Sequence, residues 1–200
     1  MAIAVGWGWH DVAIVVGAGF LGLLRPHELR ALLVSDLLTP FRLLASDGPM
    51  VVTIRLPKMR RLTARRSYTR IDHAGFIQYV DACTRGLSPA TPIFPGSYAQ
   101  LRALFNRICA HLSVPTGAPH GLSLGSLRPG GATALYRRTD NSELVRFRGR
   151  WANARMLEIY IQEVGAVSLL PALSASTRER IAQLAAAAPA IMAAAAAANF

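Results

Sequence analysis

Lysine is almost missing from this chain. Of its 22 basic residues only Lys58 is a lysine; the rest are arginines, and only 11 acidic residues oppose them, for a formal net charge of +11 and an isoelectric point near 11.1. So little negative charge makes a polyanion a more natural partner than an acidic small molecule, and nucleic acid leads on composition. The positive charge sits on planar forks that grip phosphate bidentately, although GC-biased coding is a second reading of the surface arginines. Cysteine is scarce too. Cys83 and Cys109 have neither CxxC spacing nor a nearby histidine pair, which argues against a zinc site or a disulfide framework and fits a reducing compartment. Charged residues make up only 16 % of the chain and hydrophobic ones 52 %, so 200 residues are enough for one domain or a tight pair with a real core, not a disordered segment.

Long uninterrupted hydrophobic runs are few. Residues 2–24 are apolar, but five glycines, His10 and Asp11 interrupt them and no basic region precedes them, so a buried helix is expected there, not a signal peptide or a membrane span. Residues 181–200 are mostly alanine with Pro189 inside, a helix former that seeks membranes only weakly; a packing or oligomer-contact helix is expected. Helical spacing covers residues 11–24, breaks at Pro26 and resumes over 27–33. The period then changes at Pro40. Strands are expected over 41–45, 51–56 and 67–71, with Ser46-Asp47-Gly48-Pro49 as the first turn, which makes a small antiparallel sheet. Helices are expected over 73–84, 97–112, 126–138, 142–147 and 153–164. No internal repeat is present.

Two local motifs invite chemistry. Gly17, Gly19 and Gly22 fit GxGxxG after an apolar run, the dinucleotide fingerprint. Pro26 stops the helix that should follow, and no second parallel strand ending in an acid stands about twenty residues on; close packing of a helix is the competing reading of these glycines. His27-Glu28 does not extend to HExxH, because Ala31 holds the second ligand position.

A third pattern is distributed. Gly22-Leu23-Leu24-Arg25-Pro26-His27-Glu28-Leu29 is followed by Ser35-Asp36-Leu37, then Leu56-Pro57-Lys58-Met59-Arg60-Arg61, then Ser126-Leu127-Arg128-Pro129-Gly130-Gly131-Ala132-Thr133, and finally Gly149-Arg150-Trp151 with Tyr160 nine residues on. In order and spacing these blocks resemble the catalytic domain of the tyrosine recombinases, the phage-integrase-like family, and in detail its eukaryotic branch from DIRS-type retrotransposons. The resemblance spans about residues 10–165.

It implies a mainly α domain with a small antiparallel sheet (α+β) that cuts and rejoins DNA with no metal and no cofactor. Arg25 and Arg128 would clamp the scissile phosphate, Tyr160 would attack it to leave a 3′-phosphotyrosine, and Lys58 would protonate the leaving 5′ oxygen. Arginine does that last task badly because its pKa exceeds 12, which gives the lone lysine a reason to exist. Trp151 takes the place where many relatives carry histidine; its indole can donate to a phosphate oxygen while its ring packs beneath the site. Glu28 and Asp36 read as supports that orient Arg25 and the helix end. Arg60, Arg61, Arg65 and Arg66, and around Trp151 the group Arg146, Arg148, Arg150 and Arg155, read as DNA-phosphate contacts.

Singly, each residue also has an ordinary reading: a helix ion pair for Arg25 with Glu28, core aromatics for Trp151 and Tyr160, a solvated hairpin tip for the basic run. One position departs from the family. Gly125 stands where a histidine three residues before the second arginine is usual, which leaves water or His120 to take the tyrosine proton and makes a catalytically degenerate DNA-binding domain the alternative function, ahead of a dinucleotide-binding protein built on the Gly17–Gly22 motif. The expected layout is a catalytic domain over 1–165, without the family's N-terminal DNA-clamping arm, and a helical, alanine-rich tail over 166–200. The expected partners are double-stranded DNA and further copies of the chain, joined through residues 174–184 and the tail, with no membrane. The expected location is with chromosomal DNA, in the nucleus.

Overall fold

A computed structural model of the chain describes residues 1–43, 47–55, 67–117, 121–153, 155, 169 and 171–198. Its centre is an apolar helix. The N-terminal stretch divides into α1 (Ala2–Gly6) and α2 (His10–Leu21) at Trp7-Gly8-Trp9, where Gly8 takes φ +73°, a conformation that suits a residue without Cβ. Helix α2 is apolar on nearly every side because it is covered on nearly every side: it touches α1, α3 (Pro26–Arg30), α4 (Ala74–Thr84), α5 (Tyr98–His111) and α6 (Leu127–Thr139). Val12, Ala13, Val15 and Ala18 are fully buried in it.

That packing accounts for the glycine motif. A Cβ on Gly17 would run into the Phe76 ring and the Met1 sulfur, and one on Gly19 would come within 2.9 Å of Leu127 Cδ1. The dinucleotide expectation fails on this point. Gly17 and Gly19 lie inside α2 and Gly22 caps it, no strand leads into the helix, and the sheet is antiparallel. These glycines serve helix packing.

The sheet has three strands in the order β1 (Leu37–Leu38), β2 (Met50–Ile54), β3 (Ser67–Ile71), with Val52 opposite both Leu37 and Thr69. Met50, Val52 and Ile54 alternate inward and meet Thr69 and Ile71, the period of two that a half-buried strand needs. The first strand differs from expectation. A strand is expected over 41–45; residues 44 and 45 lie outside the described residues, and Pro40–Leu43 is a 3-10 turn, held by the Arg42 guanidinium on the Val34 carbonyl (3.0 Å) and the Thr84 hydroxyl (2.7 Å). The strand pairing falls instead to Leu37 and Leu38.

The later helices fall within a residue or two of their expected bounds. His73 Nδ1 accepts from the Phe76 amide to cap α4, and Ser97 with Gln100 forms a reciprocal capping box on α5. Helix α6 is followed by α7 (Ser142–Gly149), capped by Asn141. The helix expected over 153–164 lies almost wholly outside the described residues. The alanine-rich tail forms α8 (Ala175–Ala198), which packs on α1 and α4 of the same chain, buries Met192, and is pinned by Arg180 to the carbonyl and ring of His111. By length and composition alone α8 is long and apolar enough to cross a membrane. The architecture is mainly helical with one small antiparallel sheet.

Candidate active site

The residues after α2 bring the first functional group into place. Leu23 adopts φ +53°, unusual for a branched side chain, and buries its own side chain while turning its carbonyl toward α6 and α7. Two residues on, Arg25 is the N-cap of α3 and Pro26 its first residue, where a missing N–H is harmless. Glu28 completes the turn. Its carboxylate accepts from the Arg25 backbone amide (2.8 Å) and from Arg25 Nη1 (3.1 Å), so one acid fixes both the cap and the guanidinium.

Arg128 arrives from the first turn of α6, more than a hundred residues later. Gly131, one turn along, makes the approach possible: a Cβ there would strike the Phe20 carbonyl. Arg128 is only 2 % exposed. Its Nη1 donates to the Leu23 carbonyl (2.8 Å) and its Nη2 to the Gly149 carbonyl (2.5 Å), and its Nη1 stands 4.0 Å from Glu28 Oε2. The guanidinium lies 4.8 Å from the centre of the Trp151 ring, a cation–π stack. Trp151 is buried with Leu23, Ala132 and Val145, and its ring occupies the space a Cβ on Gly149 would need.

Arg150 joins the same acid. It takes φ +58° at the end of α7, donates from Nη2 to Glu28 Oε2 at 2.8 Å, and makes a longer contact of 3.5 Å with the Leu23 carbonyl. Burial pulls its pKa below the ordinary arginine value; Glu28 works to raise it and Arg25 to lower it. Sequence reasoning placed Arg150 among outer DNA contacts. The fold puts it inside the cluster, and nothing in the local sequence signals a left-handed arginine there.

Three guanidiniums from three distant blocks thus meet one carboxylate, which neutralises only part of their charge. Latches to the sheet hold the arrangement. Thr69 on β3 donates to the Gly22 carbonyl (2.9 Å), beside Leu23. Arg148 on α7 donates to the Arg70 carbonyl and pairs with Asp72 at 2.6 Å, so it is committed to structure at one side of the cluster. Asp36 accepts from the Leu33 amide and binds Arg55 Nε at 2.6 Å, which fixes the end of β2 where the 56–66 connection leaves. Arg146 pairs with Glu143, and Arg155 is exposed.

Lys58, Arg60, Arg61, Arg65, Arg66, His120 and Tyr160 lie outside the described residues. Gly125 is exposed in the 3-10 turn Leu124–Ser126 that leads into α6, and a Cβ there would meet only Ser123 Oγ, at 3.3 Å. Among the described residues no group of three or more histidines, cysteines or carboxylates is placed to hold a metal. Chemically, the cluster is suited to a compact polyvalent anion: fixed, partly desolvated guanidinium forks with surplus positive charge. No protein-family model matches the chain, and no curated protein matches it.

Proposed function

We propose that this chain is a tyrosine-recombinase catalytic domain that breaks and rejoins double-stranded DNA, in the service of a mobile element. What supports the reading most is the meeting of residues from three separate blocks of the family pattern: Arg25 and Arg128 at Glu28, with Trp151 stacked on Arg128. A chance set of motif matches has no reason to converge in space.

On this reading the cationic cluster receives the scissile phosphate and stabilises the charge that grows on its non-bridging oxygens as the phosphorus becomes pentacoordinate. Tyr160 gives its phenolic proton to water and attacks through that oxygen; a P–O bond to tyrosine forms, and the bond to the 5′ oxygen breaks. Lys58 hands that oxygen its proton. The 3′-phosphotyrosine keeps the bond energy, so attack by a 5′ hydroxyl restores the strand without a nucleotide cofactor. Self-association through the C-terminal segment belongs to the same proposal, since α8 exchanged between copies would repeat in trans the contacts it makes on α1 and α4; so does a nuclear location with chromosomal DNA.

Gly125 favours a second reading, a DNA-binding domain without catalysis, because no side chain there can accept the tyrosine proton. Incubating the protein with nicked duplex DNA and resolving covalent adducts under denaturing conditions separates the two. The enzyme yields a protein–DNA band that Tyr160→Phe removes while duplex binding persists; the binder yields no band from either protein.

A further inference from the structure

The three arginines of the cluster are not equivalent, and their differences divide the work. Arg128 has the most buried side chain, at 3 % exposure, against 21 % for Arg25 and 15 % for Arg150. Its two Nη atoms are given to the Leu23 and Gly149 carbonyls, and Trp151 covers its face. The Gly149 carbonyl immediately precedes Arg150, so Arg128 fixes the backbone from which Arg150 projects. Arg150 is differently placed. Its Nη2 is shared between Glu28 and the long contact to Leu23, while Nη1 is buried and no described residue accepts from it. A buried guanidinium N–H without an acceptor is unfavourable, and buried donors are nearly always satisfied. Arg25 lies close enough to Arg150 to oppose its charge. The pair is therefore left with surplus positive charge, an unused donor and the more accessible side of the cluster.

We infer that Arg25 and Arg150 are the guanidiniums that contact the phosphate, with Arg150 donating through Nη1, and that Arg128 is a positioning residue that holds Leu23, Gly149 and Trp151 behind them. The inference rests on the reading above that the site takes a DNA phosphate. It differs from the family resemblance, which gives the second clamp to Arg128 and no role at the phosphate to Arg150.

The test uses the full chain and inorganic phosphate, titrated at constant ionic strength against chloride by calorimetry. Arg150→Gln and Arg25→Gln should each weaken phosphate binding by about tenfold or more, the loss typical of a charge-assisted hydrogen bond. Arg102→Gln, which removes the same charge from an exposed position on α5, should leave affinity unchanged. In the wild-type chain the Arg150 guanidinium resonance, assigned through Arg150→Lys, should shift on adding phosphate, a readout that needs no destabilised variant. The inference is overturned if wild-type protein binds phosphate no better than chloride, if Arg150→Gln behaves like Arg102→Gln, or if the Arg150 resonance stays in place. Its failure is distinct from that of the recombinase reading: a Tyr160 adduct with an Arg150 that ignores phosphate sinks this inference alone, whereas Arg150-dependent phosphate binding without any adduct leaves the anion site and sinks the enzyme.

Discussion

At the scale of single residues, Glu28 is the side chain on which most depends. It is 3 % exposed and is shared by Arg25, Arg128 and Arg150, so its removal leaves like charges facing one another in a partly desolvated space. Breaking a buried ion pair from one side typically costs about 3–5 kcal/mol. Glu28→Gln should lose stability of that order in urea unfolding, and added phosphate should recover more of it than it adds to the wild type, because an anion takes over the neutralising role. A loss below about 1 kcal/mol would mean that the cluster is solvated and the account of its charge is wrong. Gly125 offers the opposite experiment. Its position is exposed and a Cβ meets only the end of one serine side chain, so Gly125→His should fold normally. A well-placed general base is worth about a hundredfold or more, and the rate of adduct formation on nicked DNA should rise accordingly; an unchanged rate would show that proton removal from the tyrosine does not limit the reaction.

At the scale of elements, the cluster depends on how α7 is moored to β3. Arg148 and Arg70 both pair with Asp72. Burial works to raise the Asp72 carboxyl, but the hydrogen bonds from Arg70 and Arg148 outweigh it and hold the group below its ordinary 3.8. The folded-state value is the lower one, so this contribution is complete above the unfolded value and is lost as the pH falls through the folded one. Asp72→Asn should therefore flatten the acid limb of the stability curve below about pH 4 relative to wild type, and curves of equal slope would show that the pair does not tie the two elements. Much at this scale was legible in the sequence. The helices from α4 to α7 are bounded by Ser97, Asn141 and Pro/Gly loops whose capping chemistry is local, and β2 and β3 carry plain alternation. The turn that replaces the start of the strand expected at 41–45 was not legible, because what bends Pro40–Leu43 is Arg42 reaching Val34 and Thr84, contacts that exist only once α4 is in place. The two-residue β1 is too short for any period to show. The candidate site divides the same way: Arg25, Glu28, Arg128 and Trp151 stand in recognisable blocks, whereas the left-handed turns at Leu23 and Arg150 that bring them together follow from packing and leave no local signature.

At the scale of the whole molecule, Glu28, Asp36, Asp72, Asp81 and Glu143 are engaged by arginines, Glu28 and Asp72 by more than one each, and the net charge of +11 leaves basic residues in excess both inside these pairs and outside them. If those meet duplex DNA, affinity should fall steeply with salt: neutralising about six phosphates implies a loss of about a thousandfold between 50 and 200 mM. A shallow slope in a fluorescence-anisotropy titration would argue against a phosphate-lined groove. The central claim, however, concerns a bond, and the most direct measurement is to isolate the adduct formed on nicked duplex DNA, digest it, and identify by mass spectrometry which residue carries the nucleotide. The account predicts a 3′-linked nucleotide on the peptide that contains Tyr160, with a free 5′-hydroxyl on the end of the released strand. A nucleotide on any other residue, a 5′ linkage, or no adduct from a folded, DNA-binding protein would contradict it.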